Sequence, residues 1–180
     1  MKKLDHKWDI YFMRIAKEVS KNSKCMSRHI GAILVKDKCV VSTGYNGPSR
    51  GTKHCNERPS EFYTRLDGRP SFDKGSYYDK CPRRMLGYKS GEGLHLCQAG
   101  HAERNALIQA ARLGISTKGA SLYCYCGRPC KDCSIEIVNA GIKEIICIDN
   151  STNSGEYDKY SKTILKEGRI QIRKIGEEEL

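Results

Sequence analysis

Two short motifs constrain this chain more than any other feature. His101-Ala102-Glu103 is followed, after 25 intervening residues, by Pro129-Cys130-Lys131-Asp132-Cys133. Each opens a stretch of helical character. Ala102 to Leu113 is rich in Ala and Leu and stops at Gly114; Lys131 to Ala140 follows Pro129 and stops at Gly141. Cys130 and Cys133 lie three apart at a helix start, so both sulfurs share one face. A fold that brings the two helix starts together offers His101, Cys130 and Cys133 to one metal ion. The fourth position then stays open for water, which distinguishes a catalytic from a structural site. Helix N-termini favour anions and help keep the thiols as thiolates. Glu103, in the first turn, reaches the same pocket as a proton carrier without having to bind the metal.

Each half of the pattern has an ordinary reading by itself. Cys130 and Cys133 suit a redox pair or a structural zinc knuckle, and His101 with Glu103 suits a helix start with a capping carboxylate. Together, with a helix expected after each, they favour a catalytic zinc, which lowers the pKa of bound water to roughly 7.

The rest of the chain reads as an alternation. Trp8 to Lys21 has apolar residues at three- and four-residue spacing and is expected to be a helix. Ile30 to Val35 and Cys39 to Thr43, joined by Lys36-Asp37-Lys38, read as a β-hairpin, broken by Gly44-Tyr45-Asn46-Gly47-Pro48. After Gly114 come a strand (Ala120 to Cys126), the helix after Pro129, a strand (Glu144 to Asp149), a helix (Tyr157 to Lys166), a strand (Ile170 to Ile175) and an acidic end at Glu177-Glu178-Glu179. This order calls for an α/β fold with helices on both faces of one sheet. From about residue 49 to 98 the pattern dissolves among glycines and prolines, a length that needs a staple inside a compact domain.

The chain has 32 Lys+Arg and 21 Asp+Glu, a net charge of +11. The excess lies in the first two-thirds; residues 121–180 are close to neutral. That suits an anionic partner, from a phosphorylated small molecule to nucleic acid, or a lysine-rich soluble surface. No apolar run approaches the roughly 20 residues that span a bilayer. The N-terminus is charged and amphipathic rather than an apolar signal core, so a cytoplasmic location is expected. In that setting ten cysteines are metal ligands and buried thiols rather than disulfides. Cys39, Cys124, Cys126 and Cys147 sit in strand-like apolar runs and read as small buried hydrophobes.

With these residues in place, the chain resembles the cytidine and deoxycytidylate deaminase family, in particular its deoxycytidylate branch. The resemblance runs through Cys25 with Ile30-Gly31-Ala32-Ile33-Leu34, Gly44-Tyr45-Asn46-Gly47 with His54-Cys55, His101-Ala102-Glu103-Arg104-Asn105-Ala106 and Pro129-Cys130-Lys131-Asp132-Cys133. It implies a three-layer α-β-α cytidine-deaminase-like fold, with a central five-stranded mixed sheet and a zinc-stapled insertion within a single domain over 1–180. It also implies hydrolytic deamination of dCMP to dUMP and ammonia, with Glu103 catalytic and His101, Cys130 and Cys133 on zinc. By the same resemblance Asn46 meets the sugar, the Ala102 N–H the base carbonyl, and Tyr123 or Tyr125 the ring. The loop Tyr123 to Arg128 departs from many relatives, which usually have one residue fewer there. Arg128, Arg50 and Lys53 are candidates for the phosphate.

The resemblance further implies a second, structural zinc. Cys25, Cys55, Cys81 and Cys97 are its candidate ligands, with His54 or His95 able to replace one sulfur. Such a four-ligand ion would order the insertion. Members of the family assemble as dimers or hexamers, some under dCTP and dTTP control. Related substrates remain open: cytidine, dCTP, or a base in nucleic acid. A non-catalytic, zinc-stapled nucleic-acid-binding module is also open, although it would have no use for Glu103.

Overall fold

The structure is a computed structural model of the chain, described here for residues 3–58, 62–63, 80–89, 91–149 and 156–180. The fold divides into two compact units. Met1–Ser23, Ile30–Asn46 and His101–Leu180 form the first; Lys24–His29 and Gly47–Gly100 form the second.

The first unit is built on a five-stranded sheet. β1 (Gly31–Lys36) and β2 (Cys39–Tyr45) form the expected hairpin. Asp37 and Lys38 turn it with φ of 51° and 61°, the left-handed pair that a two-residue hairpin loop requires. β5 (Ser121–Cys124), β6 (Glu144–Ile148) and β7 (Gln171–Ile175) complete the order β2-β1-β5-β6-β7. β1 runs antiparallel to β2 and β5, whereas β5, β6 and β7 run parallel, so the sheet is mixed. The parallel half follows from the crossover helices α4 (Lys131–Asn139) and α5 (Glu156–Glu167).

Both faces are covered, so β1 and β6 are apolar almost throughout and period-2 alternation shows only in which core each residue joins. Ile33, Val35, Tyr123, Ile146, Ile148 and Ile175 pack with Phe12, Met13 and Ala16 of α1 (Lys3–Ser20). Ala32, Leu34, Leu122, Cys124, Ile145 and Cys147 pack with α3 (Ala102–Arg112), α4 and Leu165 of α5. The three-layer expectation holds.

Two contacts set the height of α3. A Cβ on Gly44 would lie 2.3 Å from the Ala106 nitrogen and 2.4 Å from the Ala102 oxygen, so α3 rests on bare β2 backbone. The Ser42 hydroxyl donates to the Ala106 carbonyl (2.7 Å), and the Asn105 amide donates to the Tyr45 carbonyl (2.8 Å).

The second unit has little regular structure among its described residues. It holds α2 (Pro82–Met85), two single-turn 3-10 segments at Cys55–Glu57 and Leu94–Leu96, and a two-residue pairing of β3 (Gly47–Pro48) with β4 (Ala99–Gly100). Its apolar cluster is small: Tyr63 and Leu96, with Met26, Cys55, Leu86 and Tyr88 around them. Positions 59–61, 64–79 and 90 of the expected 49–98 insertion lie outside the described residues.

Candidate active site

The two motifs meet. His101 is the N-cap of α3 and Cys130 the N-cap of α4, both in extended backbone, with Cys133 in the first turn of α4. His101 Nδ1 lies 3.4 Å from Cys130 Sγ and 3.3 Å from Cys133 Sγ. Nitrogen and sulfur ligands on one tetrahedral zinc stand about 3.5 Å apart, so this donor set fits the ion with small adjustments. Hydrogen bonding with Cys133, and then with His101, holds the Cys130 thiol well below its ordinary range against its burial. The bond to Cys130, with burial, pushes Cys133 up, and the bond between His101 and Cys130 raises the imidazole.

Side chains that the sequence did not single out hold this geometry. Arg104 makes a two-pronged pair with Glu136 (3.0 and 2.8 Å), joining α3 to α4 three residues beyond His101 and Cys133 respectively. Ser161 of α5 donates to the Pro129 carbonyl (2.7 Å). Ser134, 3.0 Å from Ser161, donates to the Cys130 carbonyl (2.8 Å). The equal offset of Arg104 and Glu136 from His101 and Cys133 was a usable signal. The buried serine pair carried none.

Glu103 is only 4 % exposed. After the bond to Cys130 and burial, its negative charge is a further influence that raises the pKa of both His101 and Cys133. Ala102 is wholly buried at the first helical position, where its N–H has no partner within the helix. The Asn46 side-chain oxygen accepts from the Ile30 N–H (2.8 Å) and lies 2.7 Å from the Ser23 hydroxyl, which fixes the side chain where β2 ends.

Both tyrosines of the loop before Pro129 lie toward α1. Tyr123 packs in the α1 core and donates to Asp9 Oδ1 (2.9 Å). Tyr125 packs against the same core and donates to Glu177, which pushes its hydroxyl up to about 12. The α1 core lies on the sheet face opposite α3, and both tyrosines pack on that side. The same segment instead turns Cys124 and Cys126 toward α3. A carboxylate oxygen of Glu103 and the two sulfurs all lie within 4.8 Å of one another. Their spacing of two along a strand was the available signal. Of the four cysteines expected to be buried, Cys124 and Cys147 are, Cys126 is half-buried, and Cys39, at the edge of the hairpin, is exposed.

In the second unit, burial raises the Cys55 thiol, and Cys81, Cys97 and Cys25 each raise it further by their charge, so the four sulfurs share one neighbourhood. They are more open than the His101 cluster: among the described residues only that cluster and the Glu103 group bring three ligand atoms within 4.8 Å. His54 Nδ1 is buried with no hydrogen-bond partner among the described residues, and His95 is exposed.

One histidine and two cysteines at two helix starts, with a buried carboxylate in the first turn beyond the histidine, have the donor set of a metal-assisted hydrolytic site in its general class. Comparison with known proteins narrows the class. Residues 6–149 match the cytidine and deoxycytidylate deaminase zinc-binding region, and the chain belongs to that family. It is 35 % identical over 167 residues to a deoxycytidylate deaminase of Schizosaccharomyces pombe, covering 92 % of this chain and 43 % of that protein. It is 33 % identical over 144 residues to a deoxycytidylate deaminase of Mycobacterium phage D29, covering 77 % and 92 %. The crystal structure of the dCMP deaminase of cyanophage S-TIM5, in complex with dCMP and dUMP, superposes with a TM-score of 0.62 at 25 % identity, over 97 % of this chain and 99 % of that one. The chain thus spans less than half the length of the fission-yeast relative and nearly all of the phage ones.

Proposed function

We propose that this chain is a zinc-dependent hydrolase that converts dCMP and water to dUMP and ammonia. The carrying observation is the buried Glu103 carboxylate in the first turn of the helix that His101 caps. A purely structural ion does not need an acid–base group beside it. Zinc held by His101, Cys130 and Cys133 supplies Lewis-acid activation of water and of the reacting centre. Glu103 carries one proton of the attacking water to the ring nitrogen, then moves the second, from the new C4 hydroxyl, to the departing amine, which leaves as ammonia. The Ala102 N–H orients the base through its carbonyl, and Asn46, locked by the Ile30 N–H, meets the sugar. The basic first two-thirds of the chain favours a phosphorylated substrate, and Arg128, two residues before Cys130, is a candidate for its phosphate.

The second zinc is part of the same proposal, on Cys25, Cys55, Cys81 and Cys97. Its support is their common neighbourhood and the thin apolar cluster of that unit; the buried, unpartnered Nδ1 of His54 makes it the alternative ligand. A cytoplasmic setting fits ten unbridged thiols, and no described helix is long and apolar enough to cross a membrane. Assembly with further copies fits the exposed Ile108, Leu113 and Ile135 on and beside α3 and α4. Sedimentation with and without dCTP tests both assembly and effector control.

The decisive experiment is a deamination screen over dCMP, dCTP, CMP, deoxycytidine, cytosine and a short oligonucleotide, with zinc counted in the same sample. We expect dCMP to react fastest and two zinc ions per chain. Glu103→Gln should lower kcat by about 10²- to 10⁴-fold with zinc retained. Preference for the oligonucleotide, or undiminished turnover in Glu103→Gln, overturns the reading.

A further inference from the structure

We infer that Glu103, Cys124 and Cys126 form a second thiophilic cation site in the first unit, where a soft divalent ion such as Zn²⁺ or Cd²⁺ inhibits the enzyme by capturing the Glu103 carboxylate. Its donors are disjoint from His101, Cys130 and Cys133, so the site is available to a chain whose catalytic site is already filled. The inhibitory effect, though not the binding, rests on the reading of Glu103 as the proton carrier.

The geometry comes first. The two sulfurs are 3.2 Å apart, and a Glu103 oxygen completes a triangle with no side above 4.8 Å. Sulfur and oxygen ligands on one tetrahedral ion stand roughly 3.5–4 Å apart, so small side-chain rotations bring all three onto one centre. The backbone that carries the sulfurs is already tied down. The Tyr125 N–H donates to the Gly31 carbonyl (2.8 Å), and the Ile148 N–H donates to the Cys126 carbonyl (2.9 Å). The loop therefore need not be ordered by the ion.

The chemistry selects the ion. Two thiolates with one carboxylate favour a soft or borderline d¹⁰ cation over Mg²⁺ or Ca²⁺, which take oxygen ligands. Binding breaks two S–H bonds, forms two metal–sulfur bonds and sends two protons to solvent. Burial keeps the site selective: Cys124 is wholly buried and Glu103 nearly so. Half-buried Cys126 is the point of entry, where its S–H now donates to the Gly127 carbonyl (3.1 Å). Cys147, the register partner of Cys124 across β5 and β6, adds a third sulfur to the neighbourhood.

The test uses the full-length, zinc-loaded chain titrated with CdCl₂. The thiolate-to-cadmium ultraviolet band and dCMP turnover are followed together, in the unsubstituted chain and in Cys124→Ser/Cys126→Ser. The expected result is one more cadmium per chain than in the double variant, with a thiolate band that the variant lacks. Turnover of the unsubstituted chain should fall by about 10²-fold or more, the scale of losing an acid–base group, while the variant keeps its own untreated rate. Cys126→Ala, at the half-buried position, serves if the double variant does not fold. An equal band and equal inhibition in the variants would place the ion elsewhere and overturn the proposal. A band that depends on Cys124 and Cys126 but leaves turnover unchanged would keep a two-thiolate site and overturn the capture of Glu103, whose acid–base role the Glu103→Gln assay tests separately.

Discussion

The two faces of β5 divide the molecule's work. On one side Ser121, Tyr123 and, just beyond the strand, Tyr125 look toward α1. Asp9, 2 % exposed, accepts from Tyr123 and pairs with Arg173. Arg173 also pairs with Glu144 (3.0 and 3.1 Å), and Glu144 accepts from Ser121 (2.6 Å). The charges in this network have partners within it, as buried polar groups require. On the other side Leu122, Cys124 and then Cys126 look toward α3, where three sulfur or nitrogen ligands and a carboxylate converge. That face gathers donor atoms that a cation can satisfy better than they satisfy each other. The same strand thus stabilises the fold on one face and offers ligands on the other, and a single step along the chain moves a residue between the two.

Three experiments would sharpen or break that division. Arg173→Met has the largest expected effect. It leaves the buried Asp9 without its ion-pair partner and Glu144 with only the longer Lys143 contact (3.7 Å), at a cost of about 3 kcal/mol or more, readable from the urea midpoint. Zinc content and turnover per folded molecule should be unchanged, and a fall in either would show that the faces are coupled. Tyr123→Phe should cost about 2 kcal/mol, one buried hydrogen bond to a carboxylate, with the KM for dCMP unaltered. A raised KM would place Tyr123 at the substrate. The smallest effect concerns acid. Burial alone would raise the pKa of Glu144, but the Ser121 hydrogen bond and then Arg173 outweigh it and lower it. Its contribution is therefore complete above the unfolded carboxylate pKa of about 4.3 and is lost as pH falls through the lower folded value. Melting temperature should decline on acidification below that range, and less steeply in Glu144→Gln. An unchanged slope would mean that Glu144 carries none of the acid sensitivity.

Much of the site was legible because its signals are local. His101 and Cys130 stand at helix starts whose N-terminal and glycine stop signals lie within a dozen residues. The hairpin is written in two β-branched runs around Asp37-Lys38, although its loop is one residue shorter than expected. Legibility failed where the outcome depended on distant chain. Cys39 sits in an apolar run, yet β2 lies at the sheet edge and leaves it exposed. Tyr123 and Cys124 are adjacent in a strand buried on both sides, so hydropathy could not say which faced α1. In the second unit short turns and a small apolar cluster give no periodicity to read.

By itself the sequence determined the order of helices and strands around the insertion, the α/β class, and the residue types able to hold a zinc ion beside an acid–base carboxylate. These follow from propensities and spacings that act over a few residues, while the family and the mixed sheet were implied by the resemblance of the motifs. Only the tertiary structure decided that α3 rests on Gly44, that Arg104 clasps Glu136 across two ligand-bearing helices, and that Cys124 rather than Tyr123 faces Glu103. Those outcomes depend on strand register and on which helix covers which face, and both are set by long-range packing.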